Sequence, residues 1–120
     1  MSETRLWHVT VTVAGQPVPP AEVQGALSRL ATQHGFLHSL RYAGSRAEIM
    51  YWDEAPEMLD AAAMAMRVWD EHRASADLPR WQVVGLEVLE QSVRLARTSG
   101  GRRASGGPRF GSRTPRPVPF

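Results

Sequence analysis

Of the four histidines in this 120-residue chain, His8 is the natural candidate for acid–base work, because imidazole titrates near neutrality. It stands alone in a strand-like run, where a histidine more often serves structure. His34 and His38 are four residues apart, the spacing at which two histidines on one helix hold zinc. Gly35 lies between them and a strand-like segment opens at Phe36, so the two do not share a helical face. His72 follows Asp70 and Glu71 late in a helical stretch, where capping or solvation accounts for it. Asp53, Glu54 and Glu57 gather ahead of a helix, and negative charge there is favourable on its own account. The absence of cysteine excludes disulfides, thiolate nucleophiles and cysteine metal sites together. Gly15 and Gly44 belong to no phosphate-binding glycine motif, and no Ser-His-Asp arrangement is visible. The residues therefore assign no catalytic group, no metal ligands and no cofactor.

The elements that position these residues follow from periodicity. Arg5 to Val13 alternates, with Trp7, Val9, Val11 and Val13 on one face and Leu6, His8, Thr10 and Thr12 on the other. Pro19 and Pro20 suit the first turn of a helix, where their missing N–H groups go unneeded. Val23, Ala26, Leu27, Leu30, Ala31 and His34 then form one helical stripe, and Gly35 is a natural stop. Phe36 to Ala43 and Arg46 to Asp53 read as strands joined at Gly44-Ser45, which makes them an antiparallel hairpin. Pro56 opens a second helix, whose buried side is expected at Leu59, Ala62, Ala63, Met66 and Trp69. It should end near Leu78-Pro79. Trp81 to Leu89 supplies the last strand, with Val84, Leu86 and Val88 on one face and Trp81, Val83, Glu87 and Leu89 on the other.

The order βαββαβ is that of the ferredoxin-like, or split βαβ, arrangement. The expected fold is α+β: a four-stranded antiparallel sheet of spatial order 4-1-3-2, both helices on one face, and a disordered C-terminal tail. The domain should span residues 4–92 and the Arg/Gly/Pro-rich tail residues 93–120. All twelve acidic residues lie in the first part with seven arginines, so its charge is 7 − 12 = −5, and the remaining seven arginines give the tail +7. Every basic residue is arginine. A tail of this composition cannot bury enough apolar surface to offset its ordering entropy. With no run of 18 apolar residues and no secretory pattern at the start, the protein is expected in the cytoplasm and off the membrane.

With the helices on one side, the other sheet face is the expected working surface. His8, Thr10, Trp81, Val83 and Glu87 are placed on it. The third strand adds either Glu48, Met50 and Trp52 or Ala47, Ile49, Tyr51 and Asp53, and the first set is preferred. A one-residue slip exchanges the two. Exposed apolar area of that kind usually marks an interface. The leading expectation is a small non-enzymatic interaction protein that homodimerises through its sheet, with a further protein partner unidentified. Trp81→Glu would then weaken the dimer. A second expectation is a small enzyme or ligand sensor with a cleft at the dimer interface, as in the dimeric α/β-barrel proteins that the pattern resembles. A third is non-specific nucleic-acid contact through tail arginines Arg102, Arg103, Arg109, Arg113 and Arg116. Base stacking on the sheet is disfavoured, because Arg46 to Trp52 lacks the aromatic motif of RNA-recognition sheets and the domain is acidic.

Overall fold

A computed structural model describes residues 4–34, 37–93 and 115–120. The main elements among these residues follow in the order β1 (Arg5–Ala14), α1 (Pro20–Gln33), β2 (Leu37–Tyr42), β3 (Arg46–Ala55), α2 (Met58–Ala76), β4 (Gln82–Glu90) and β5 (Val118–Pro119). The first six form the expected βαββαβ unit, and the sheet order is β4-β1-β3-β2-β5. All pairings but the last are antiparallel, with β5 parallel to β2. No described helix is long and apolar enough to cross a membrane.

The central strand follows its alternation closely. Trp7, Val9, Val11 and Val13 are buried beneath the helices. Cross-strand partners share a face, so the register Val9↔Tyr51, Val11↔Ile49 and Val13↔Ala47 sends Tyr51, Ile49 and Ala47 to the same side. Met50 and Trp52, opposite Thr10 and His8, therefore take the open face, as preferred. Helix α1 starts at Pro20 with Glu22 in its first turn and buries Val23, Ala26, Leu27, Leu30 and Ala31. His34 does not continue that stripe. It is the helix's C-cap, with extended backbone at φ −125° and ψ 99°.

Three further expectations are overturned. The buried side of α2 is Ala61, Ala65, Val68, Trp69 and Ala76, whereas Leu59 is 77% and Met66 49% exposed. Small alanines let the helix lie close over β4 and β1, and the ring of Trp69 fills the end of that interface by stacking parallel on Trp81, centroids 6.2 Å apart. The second correction concerns β4. Its register against β1 runs Thr10↔Glu87 and Thr12↔Gly85 but then Val13↔Val83, a β-bulge that leaves Val84 as the extra residue. A bulge of one residue inverts every side chain beyond it. Val83 and Trp81 thus turn toward the helices, and Trp81 is 4% exposed in the core. Its indole N–H donates to the Gln16 carbonyl at 2.8 Å. Gly15 is required beside it, since a Cβ there would run into the indole ring.

The third correction is at the chain's end. Residues 115–120 do not belong to a structureless tail: Val118 and Pro119 pair with Arg41 and Tyr42, and the Phe120 N–H donates to the Tyr42 carbonyl at 3.0 Å. The Arg46 guanidinium sits 4.3 Å from the Phe120 ring centroid, a cation–π contact. The expected tail between Arg94 and Thr114 lies outside the described residues.

Candidate functional site

On the open sheet face, the register brings His8, Thr10, Met50, Trp52 and Glu87 together, as expected. Trp81 and Val83 leave this group for the reason given above. His8 and Trp52 meet edge to face with ring centroids 5.0 Å apart. His38 joins them because the β2–β3 register shifts between Leu37 and Ser39, which makes His38 the bulged residue. Its Nε2 lies 2.9 Å from Nε2 of His8. His8 is only 2% exposed and Trp52 9%, with His38 exposed at the cluster's edge, so these rings offer little apolar area to a partner. Of the tail arginines, Arg116 is exposed just before β5, and Arg102, Arg103, Arg109 and Arg113 lie outside the described residues.

A second cluster lies on the helix side. The C-cap residue of α1, His34, and His72 near the end of α2 approach Nε2 to Nε2. The α1–α2 contact is reinforced by Ser75 Oγ donating to Gln33 at 2.9 Å and Arg29 Nε donating to the Ala76 carbonyl at 2.7 Å. His72 Nδ1 donates to the Val68 carbonyl at 3.0 Å, one turn back. That bond places a proton on Nδ1 of His72, and the matching tautomer leaves its Nε2 to accept the N–H of His34. A cavity of about 170 Å³ opens beside the pair, lined by Tyr51 and Asp53 of β3, Met64, Val68 and Glu71 of α2, and both histidines.

Electrostatics in this cavity disfavour charge. Burial lowers the His34 pKa, the neighbouring His72 lowers it further, and Glu71 pulls it partly back. Burial also raises the Tyr51 phenol, helped by the Asp53 charge, so the ring stays protonated at neutral pH. The Asp53 carboxyl is raised by burial and by the Glu54 charge, against a backbone hydrogen bond at Glu54 that lowers it. No ion pair involves Asp53 among the described residues. Nor do three or more described His, Asp or Glu residues already converge as a metal cage. What the arrangement offers is two facing imidazole nitrogens beside two carboxylates and a phenol. Sequence spacing could not reveal it, because His34 and His72 lie 38 positions apart.

A third surface is apolar. Leu59, Ala62, Ala63 and Met66 recur at helical spacing on α2 and are not in its buried face. Ser75 and His72 turn toward α1, and Met66 lies about 180° around the helix from Ser75. This flank therefore points away from α1 and overhangs β4. Leu86, opposite Val11 and so on the helix side of β4, is 38% exposed, and Val84 at the bulge is 63% exposed. Among the described residues, no strand pairs with the outer edge of β4.

Residues 6–105 match a family model described as Domain of unknown function (DUF8830). No curated protein matches the chain.

Proposed function

The chain belongs to the DUF8830 family, and we propose that its domain is a small interaction module that self-associates through the β4 edge and the adjoining flank of α2. The observation that carries this reading is the exposure of Leu59 and Met66 on α2 and Leu86 on β4, a strand whose outer edge is paired by no other strand among the described residues. The opposite edge of the sheet is occupied by β5. An unprotected edge strand is a template for another strand, and two-fold pairing is the commonest way for a single gene product to cover one. A β4–β4 pair centred on Leu86 sets Leu86 opposite its own copy and Glu87 opposite Gly85, which avoids like charges face to face. Each large apolar side chain contributes roughly 1.5–3 kcal/mol when fully buried, and symmetry doubles every one. The dimer surface thus moves from the open sheet face, whose tryptophan is already enclosed, to the side of the molecule.

Sedimentation velocity on the full chain tests the reading. A dimer is expected in the micromolar range, with Met66→Glu giving a monomer of unchanged circular dichroism. A wild-type monomer throughout that range, or a dimer indifferent to Met66→Glu and Leu86→Lys, overturns it.

A further inference from the structure

We propose that His34 and His72 form the nitrogen half of a binding site for a borderline divalent ion of the zinc class, opening onto the cavity that Asp53 and Glu71 line. Two imidazoles whose Nε2 atoms face each other repel through their lone pairs unless something lies between them. The proton of one ring's N–H fills that place, and so does a metal ion bound to both rings. Zinc–nitrogen bonds of about 2.0–2.1 Å at tetrahedral angles hold two nitrogens roughly 3.3 Å apart. Nitrogens already in hydrogen-bonding contact reach that separation by a small ring rotation.

Second-sphere support is present before any ion arrives. Metal-bound histidines characteristically donate their remaining ring N–H to a carbonyl or carboxylate, which aims the other nitrogen. His72 does this through Nδ1 and the Val68 carbonyl at 3.0 Å. The two ligands come from the ends of different helices, α1 and α2, which Arg29 and Ser75 already tie together. The cavity beside the pair, about 170 Å³, has room for an ion with bound water. Asp53 and Glu71 line that space, so oxygen donors are at hand for the remaining positions after side-chain rotation, and a dication would relieve the cost of the half-buried Asp53 charge.

The other histidine pair provides the contrast. His8 and His38 also face through Nε2, at 2.9 Å, and His38 is exposed, but His8 is 2% exposed with its ring packed edge-on against Trp52. The buried His8 ring has no freedom to turn toward an ion. The site is independent of self-association, since neither histidine lies on the α2 flank over β4.

Titration of the full chain with zinc chloride, followed by calorimetry and by histidine side-chain ¹⁵N shifts, tests the assignment. One ion per chain is expected, with His34 and His72 Nε2 resonances moving and those of His8 and His38 staying. His34→Ala should weaken binding at least tenfold, Asp53→Asn severalfold, and the exposed-site control His38→Asn not at all. Affinity should fall as pH drops from 7 to 5.5. No saturable uptake up to about 100 µM zinc, or uptake that shifts His8 and His38 instead, overturns the proposal. The shift readout on wild-type protein decides the matter even where a histidine variant folds poorly.

Discussion

Asp53 illustrates how a single side chain can work against stability. Its pKa is raised in the folded state, chiefly by burial. A carboxyl with a raised folded pKa contributes its full stability below its ordinary value of 3.8, and that contribution is lost as pH rises through the folded value. At pH 7 its charge is a net burden, so Asp53→Asn should raise the urea midpoint in metal-free buffer. An unchanged or lower midpoint would show that the charge has a compensating partner. His34 carries the opposite dependence. Its folded pKa is depressed below the ordinary 6.5, mainly by burial and then by His72. The folded state therefore holds fewer protons, and stability is full above pH 6.5 and declines as pH falls through that value toward the folded pKa. Urea midpoints at pH 7.5, 6.5 and 5.5 should fall in that order, and His34→Gln should flatten the trend.

The helices differ in how plainly their buried faces can be read. In α1 the large apolar residues are also the buried ones, and Leu27 is fully enclosed. Leu27→Ala should destabilise the fold by about 2–5 kcal/mol, the range for large-to-small core changes. In α2 the apolar residues make two stripes, and the one that carries Leu59 and Met66 faces out. Met66→Ala at a 49% exposed position should change monomer stability by no more than about 0.5 kcal/mol. Equilibrium denaturation of both variants, at a concentration where the chain is monomeric, checks the pair. A large loss at Met66 would mean that α2 is rotated from the orientation described. Within the sheet, the bulge at Val84 has equal weight, because it alone decides that Trp81 is core rather than surface.

For the whole molecule, two substitutions that look alike in sequence should behave differently. Trp81→Glu puts a charge beside the stacked Trp69 ring and removes the bond to Gln16. Its loss should be at least the ~3–5 kcal/mol of a tryptophan truncation, so the variant should lose its near-ultraviolet circular dichroism. Met66→Glu should keep the fold and dissociate the dimer. If Trp81→Glu instead stays folded and becomes monomeric, the sheet face is the interface after all. The sequence by itself determined the order of the first six elements, their order in the sheet and the faces of β1 and α1, because alternation of two and 3.6 are local patterns that each strand or helix carries alone; the register against β1 chose the face of β3. Trp7 to Val13 and Val23 to Ala31 show this directly. Only the tertiary structure decided which stripe of α2 faces in, where β4 slips by one residue, and that the last residues close the β2 edge. It also decided that the four histidines meet as two pairs. Each of these depends on a partner distant in the chain: α2 on the close approach that alanine permits, Val84 on the register of β1, and His34 on His72. Periodicity records what one segment prefers, whereas register and convergence are settled by packing between segments.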